Sequence, residues 1–368
     1  VYSRDINTER QEEHTLAGIR QQNLAEAIAA IRAGGVAPKA GEGKPAPKPK
    51  RGDAIFENVG GPRTWNEYVG QRRAKGQMRA AVASAKFRKQ RVDHILIASG
   101  VPGVGKSALA RIVAAEYGGG IVEVQGALSQ DEARAILSGM QDGDFLFLDE
   151  IHQLVVGGKS KAEWLLPLMQ DGVLLSAQGE WKAPNVTIIG ASTNAAELPE
   201  AILSRFVIKP VIDMYSEEEA TDIAEGMAAS VFGEIGLDLP TRATCAALAE
   251  AANHSPRDIG SMLRLLRDAE IAGMAERDEN GDSDLTEMLD WAGRTPTGLD
   301  DLAQRYLATM LVMFGGRTGK ANIASVLGES TYPYLTEQLL LQKGLISIDK
   351  GGRFLTEAGV KATLELEM

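Results

Sequence analysis

Gly100-Val101-Pro102-Gly103-Val104-Gly105-Lys106-Ser107 is the stretch on which the fold turns. An apolar run, His94 to Ser99, precedes it, and a helical pattern from Ala108 to Glu116 follows. Strand, glycine loop and helix in that order is the setting a phosphate-binding P-loop requires. The glycines let the backbone curl so that its N–H groups point at phosphate oxygens, and the helix N-terminus adds its positive end. Lys106 can then reach the β- and γ-phosphates, and the Ser107 hydroxyl can ligate Mg²⁺. Gly100, Pro102, Gly103, Val104, Gly105, Lys106, Ser107 and Ala108 are the candidate nucleotide contacts of this segment.

Downstream, Asp144-Phe145-Leu146-Phe147-Leu148-Asp149-Glu150 is an apolar run that ends in two carboxylates. A buried parallel strand delivers acids at its C-terminal end in this way. With a P-loop upstream, Asp149 is placed to hold Mg²⁺ through water and Glu150 to polarise an attacking water. A further apolar run, Asn185 to Ala191, stops at Ser192-Thr193-Asn194. Thr193 is positioned to orient that water or sense the γ-phosphate, or else to cap the strand end. Strands alternating with helices indicate a parallel α/β sheet.

The remainder of the chain divides by composition. Residues 8–33 place Leu16, Ile19, Leu24, Ala27, Ile28 and Ile31 at helical spacing, closed by Gly34-Gly35. This predicts an amphipathic helix, solvated or docked on a partner. In residues 36–52, Pro38, Pro45, Pro47 and Pro49 alternate with Lys39, Lys44, Lys48, Lys50 and Arg51, the pattern of an extended basic tether. From Pro62 the sequence turns globular, and a helix carrying Met78, Val82, Ala85 and Phe87 leads to the P-loop unit. Residues 216–294 read as helical, and 298–368 as three helices followed by two short strands around Asp349-Lys350-Gly351-Gly352, the order of a winged helix. The predicted domains are therefore 1–52, 53–215, 216–296 and 297–368.

A length of 368 residues suits two or three domains. The formal charge of −11 excludes nucleic-acid binding over the whole surface, but leaves room for a local basic patch. Cys245 is the one cysteine, so there is no disulfide framework or cysteine zinc cluster. It sits among alanines as a small buried hydrophobe. No apolar run has the length of a membrane span and no signal-peptide core opens the sequence, so the expected location is cytoplasmic.

The motif series resembles the RuvB family of AAA+ ATPases, the Holliday-junction branch-migration motors. It is carried by Pro62 to Gln71, Asp93-His94, the P-loop, Leu148-Asp149-Glu150-Ile151-His152 and Leu166 to Asp171. Further along it rests on Ile189 to Thr193, Leu203-Ser204-Arg205-Phe206, Ser255-Pro256-Arg257 and the winged helix. It covers roughly residues 62–360. The resemblance implies Walker B acids at Asp149 and Glu150, sensor 1 at Thr193 and sensor 2 at Arg257 beside Pro256, on a helical lid. It also implies an arginine finger at Arg205, reaching a neighbouring subunit, and adenine packing at Tyr68 and Val69. As isolated arginines, Arg205 and Arg257 fit ordinary surface ion pairs. A finger acting in trans implies a homo-oligomeric ring, typically a hexamer, with ATP and Mg²⁺ as cofactors and duplex or branched DNA as partner.

Two departures bear on partners. The family's long hairpin before sensor 1 docks on RuvA, whereas Asp171 to Asn185 is short, with Gln178-Gly179-Glu180-Trp181 at its expected tip. That counts against RuvA docking and leaves Trp181 to pack on its own domain or else to anchor a different partner. The family's Arg-Gly-Arg wing is reduced to Lys350-Gly351-Gly352-Arg353. Lys350 and Arg353 are the expected DNA contacts, through backbone phosphates and not base edges. An AAA+ remodeller or loader whose winged helix binds a protein or nucleoprotein partner is the alternative reading.

Overall fold

The computed structural model describes residues 61–155, 162–176, 179–233, 235–327 and 333–366. The predicted helix at 8–33 and the tether at 36–52 lie outside the described residues.

The first helix, α1 (Arg72–Arg88), buries Ala74, Met78, Val82 and Ala85 at helical spacing. Phe87, on the same predicted helix, is 90% exposed. The parallel sheet is then assembled from β1 (Ile95–Ala98), the P-loop helix α2 (Lys106–Tyr117), β2 (Ile121–Gln125), α3 (Gln130–Ser138) and β3 (Phe145–Asp149). After α4 (Leu165–Asp171) comes an antiparallel hairpin, β4 (Val173–Ser176) with β5 (Gly179–Lys182), and then β6 (Thr187–Ser192). The strand order is β1-β6-β3-β2, with every pairing parallel. Residues 207–212 run parallel beside β1, where Leu96 N–H donates to Ile208 O at 2.8 Å and Ile212 N–H to Ala98 O at 2.9 Å.

β3 and β6 lie at the middle of the sheet with both faces covered, which is why their sequences are nearly unbroken apolar runs. One core cluster, with Ile95, Ile97, Phe145 and Ile189, backs α1 and α2; another, with Leu96, Leu146, Leu148 and Ile188, backs α3 and α4. A sheet covered on both faces leaves its strand ends as the available crevice, and β1, β3 and β6 all present their C-terminal ends there.

After the short helix α5 (Glu200–Leu203), the chain becomes helical: α6 (Glu217–Gly233), α7 (Arg242–Ala251), α8 (Pro256–Ile271) and α9 (Thr286–Trp291). Thr241 caps α7 and Pro256 opens α8 at its first turn, where a missing N–H costs nothing. Cys245 is buried in this helical core, as expected. The C-terminal unit is a winged helix with its own core around Leu299, Tyr306, Ile323 and Leu340. It comprises α10 (Asp301–Ala308), β7 (Arg317–Thr318), α11 (Lys320–Leu327), α12 (Tyr334–Gln342), β8 (Ile346–Asp349), β9 (Gly352–Leu355) and α13 (Glu357–Leu366). β8 and β9 form the wing, and β7 adds a third strand on β9. Among the described residues, no helix is long and apolar enough to cross a membrane.

Candidate nucleotide site and wing

The P-loop joins β1 to α2 through two glycines with positive φ, Gly103 at 78° and Gly105 at 92°. Both are needed for space as well as conformation. A Cβ on Gly103 would stand 2.8 Å from Ser255 Oγ and 3.1 Å from Arg257 Cβ, and one on Gly105 would stand 2.9 Å from the Tyr68 hydroxyl. The loop is thus pressed between the lid helix α8 and the segment before α1. Arg257 N–H donates to Gly103 O at 3.3 Å, so the lid touches the loop directly.

Lys106 is buried at the start of α2. Burial holds its ammonium pKa below the usual lysine range; Glu150 and Asp149 oppose that shift and the positive charge of Arg257 adds to it. Asp149, at the end of β3, is shifted the other way. Burial raises its carboxyl and neighbouring Glu150 adds to the rise, against the Glu150 N–H, Lys106 and Arg257. A buried cation beside a half-buried carboxylate, each short of solvent, is a site that gains from an anionic ligand and a bound metal.

Glu150 adopts φ +50°, a left-handed conformation costing a non-glycine residue about 1–2 kcal/mol. The turn aims its carboxylate across to the end of β6. There Thr193 donates twice to Glu150 Oε2, from N–H at 3.1 Å and from its hydroxyl at 2.9 Å. His152 Nδ1 lies 3.3 Å from the same oxygen and 3.0 Å from Ser192 Oγ.

Lys106, Asp149, Glu150, Thr193 and Arg257 are therefore brought together, as the sequence reading expects. Arg205 stands apart from them: its guanidinium donates to Ala201 O and to Gln170 Oε1, the latter at 2.7 Å. Tyr68 departs from expectation. Its ring is 2% exposed and its hydroxyl donates to Val104 O at 3.2 Å, so the side chain braces the P-loop from behind and presents no open face for adenine. Val69 is half-buried beside it. Tyr215 shares the bracing: its hydroxyl lies 3.1 Å from Val104 O and 3.0 Å from the Tyr68 hydroxyl, with one proton to give to either. Burial pushes its phenol up to about 12. Tyr215 carries no motif signal, only its place at the end of the segment beside β1.

As for the metal, no group of three or more His, Cys, Asp or Glu able to hold an ion occurs among the described residues. The available donors, the Ser107 hydroxyl and the Asp149 carboxylate, suit Mg²⁺, which keeps its waters and takes one or two protein ligands alongside phosphate oxygens.

The wing corrects the sequence reading. Arg353 points inward: its Nε donates to Glu337 Oε2 at 2.7 Å and its Nη2 to Oε1 at 3.2 Å. Glu337 is buried and also accepts from the Tyr306 hydroxyl at 3.1 Å. A buried carboxylate costs several kcal/mol unless paired, so Arg353 is drawn to it and away from any DNA backbone. Lys350 remains exposed at the turn. The second cation of this surface is Arg317, which forms a bidentate pair with Asp349 at 2.9 Å and stacks on Phe354, 4.7 Å from its ring centre. The hairpin before Thr193 is short, and Trp181 packs on its own domain beside Arg134, 5.6 Å from the ring centre.

Comparison with known proteins agrees with this arrangement. Residues 61–212 match the family model described as the Holliday junction DNA helicase RuvB P-loop domain, and residues 296–363 match the RuvB C-terminal winged helix domain. The chain is 33% identical over 309 residues to the Holliday junction branch migration complex subunit RuvB of Rubrobacter xylanophilus, covering 80% of this chain and 84% of that protein. It is 30% identical over 329 residues to the corresponding subunit of Clostridium kluyveri, covering 84% and 89%. Among solved structures, the RuvB Holliday junction branch migration motor of Thermotoga maritima is similar, with a TM-score of 0.67 and 27% identity over 83% of this chain and 97% of that one.

Proposed function

The chain belongs to the RuvB family of AAA+ ATPases, and from that premise we propose that it is a ring-forming motor that hydrolyses ATP to translocate duplex DNA, as in Holliday-junction branch migration. The observation that carries this reading is the carboxylate of Glu150, held by Thr193 from the next strand, beside the buried Lys106. The P-loop N–H groups and Lys106 bind and orient the triphosphate. Ser107 and Asp149 would hold Mg²⁺, which would supply charge neutralisation on the phosphates. Glu150 accepts the proton of the attacking water, and Thr193 fixes the direction of its carboxylate. Arg257 links the lid to the loop and reports the state of the nucleotide to it. Arg205, with no role in its own subunit's site, reaches the site of the next subunit in a ring, a hexamer on the family resemblance.

The test is ATP turnover with and without duplex DNA across a salt series. Phosphate contacts release counterions, so stimulation by DNA should be strong at low salt and fall steeply as salt rises. A second reading has one observation in its favour. With Arg353 turned onto Glu337 and Arg317 paired with Asp349, Lys350 is the exposed cation at the wing turn. A winged helix so short of phosphate ligands suits an AAA+ remodeller acting on a protein, and turnover indifferent to DNA but raised by a protein partner supports that reading instead. The short hairpin and inward-packed Trp181 offer a poor docking site for RuvA.

A further inference from the structure

In the Asp149-Glu150-Ile151-His152 box, the two acids enter the proposed chemistry and His152 does not. The fold nevertheless sets His152 beside them. After Glu150 the chain closes into a 3-10 turn, Ile151–Val155, in which Gln153 N–H donates to Glu150 O at 2.8 Å. That turn lies close on β6 because Gly190 has no side chain: a Cβ there would stand 3.0 Å from Ile151 Cδ1. The His152 side chain, 16% exposed, is thereby brought against the last residue of β6.

His152 Nδ1 lies 3.0 Å from Ser192 Oγ and 3.3 Å from Glu150 Oε2. The surrounding atoms decide whether it carries a proton. Ser192 is fully buried and accepts the Asn194 N–H at 3.0 Å, which leaves its oxygen one lone pair and its own proton. A bare Nδ1 could take that proton, but its nitrogen lone pair would then face the Glu150 carboxylate. A protonated Nδ1 gives Ser192 the second donor it can accept and meets Oε2 with a positive edge. Nδ1 therefore carries the proton. Oε2 then faces three donors, the other two being the Thr193 N–H at 3.1 Å and the Thr193 hydroxyl at 2.9 Å. A carboxylate oxygen so occupied is a poor base, and Oε1 is left as the basic one.

We infer that His152 is a positioning residue for ATP hydrolysis: seated on Ser192, its Nδ1–H holds Glu150 Oε2 and reserves Oε1 for the attacking water. The inference rests on the hydrolytic reading proposed above and deepens it at the same site. The water proton passes to Oε1, the water oxygen bonds to the γ-phosphorus, and the bond from that phosphorus to the ADP oxygen breaks. His152 keeps its own proton throughout. Thr193 approaches Oε2 from β6 and His152 from the turn after β3, so two elements hold the carboxylate.

ATP hydrolysis by the full chain with Mg²⁺, in steady state and in single turnover, provides the test. His152→Leu keeps bulk and loses the donor; it should lower kcat about tenfold or more, with KM for ATP within about twofold of wild type. His152→Asn, whose Nδ2 can stand near the place of Nδ1, should recover most of the rate. Ser192→Ala removes the seat and should cost about threefold, and the Leu and Ala changes together should be no slower than His152→Leu alone. In a Glu150→Gln background, His152→Leu should alter the residual single-turnover rate by less than about twofold, because its effect runs through the carboxylate. ATP binding by each variant separates loss of position from loss of fold. Wild-type kcat in His152→Leu, no recovery in His152→Asn, or an equal loss in the Glu150→Gln background would make His152 a structural tie only and overturn the inference while hydrolysis through Glu150 stands. Wild-type turnover in Glu150→Gln itself would overturn the hydrolytic reading, and this inference with it.

Discussion

In the proposed mechanism Glu150 concentrates the chemistry of the site in one side chain. Its backbone is held at φ +50°, a conformation that few non-glycine residues adopt, and Oε2 is met by the Thr193 N–H, the Thr193 hydroxyl and His152 Nδ1. Strain of that kind persists only where surrounding contacts determine the position, and here they fix the direction of the carboxylate that the proposed mechanism uses as proton acceptor. Glu150→Gln conserves shape and leaves an oxygen for Thr193, but removes the charge and the capacity to take a proton. Steady-state ATP turnover should fall about 100-fold or more, with ATP affinity within a few-fold of wild type. Unchanged turnover would mean another group activates the water. The Asp-Glu pair is legible from sequence because an apolar run aims it. The part played by Thr193 is only half legible, since pairing of β3 with β6 is what brings strand ends 43 residues apart within hydrogen-bond range.

At the level of elements, buried polar side chains decide how strands and helices are joined. His94 precedes β1 and is buried. Its Nδ1 accepts the Ile188 N–H at 2.9 Å, so the ring is protonated on Nε2, which donates to Met169 O at 3.1 Å and ties α4 to the sheet. Burial lowers its pKa from 6.5 to about 4. The unfolded chain therefore takes up the proton first on acidification. Stability is fully present above pH 6.5 and is lost progressively down to about pH 4. Between pH 7 and pH 5 the contribution of His94 should fall by about 2 kcal/mol. Urea unfolding followed by fluorescence, with Trp65, Trp164 and Trp181 all in this domain, measures it; a midpoint drop that His94→Gln does not reduce would show that other groups titrate. The same logic explains the misread wing. Composition and spacing place Arg353 on a wing strand, but only the fold reveals that Glu337, sixteen positions earlier, is buried where the guanidinium can reach it. Phe87 is the converse: it follows the helical pattern in sequence, yet α1 turns it to solvent.

On the proposed mechanism the molecule as a whole distributes one reaction over separate domains and, in the ring, over separate subunits. Arg257 reaches the P-loop of its own chain through the N-terminus of α8, whereas Arg205 is held by Ala201 and Gln170, away from Glu150 and Lys106. If Arg205 completes a neighbour's site, Arg205→Ala should bind nucleotide normally and lose hydrolysis. The decisive case is a mixture of two inactive variants. An Arg205→Ala subunit keeps Glu150, and a Glu150→Gln subunit keeps Arg205, so a complete site forms wherever the former is served by the latter. With random equal mixing, about a quarter of the sites in a head-to-tail ring are complete. Turnover in the mixture should therefore rise clearly above the sum of the two variants alone, and should vanish on dilution below the assembly concentration. If Arg205 acts within its own subunit, no site in the mixture has both groups, and activity stays at the level of the separate variants.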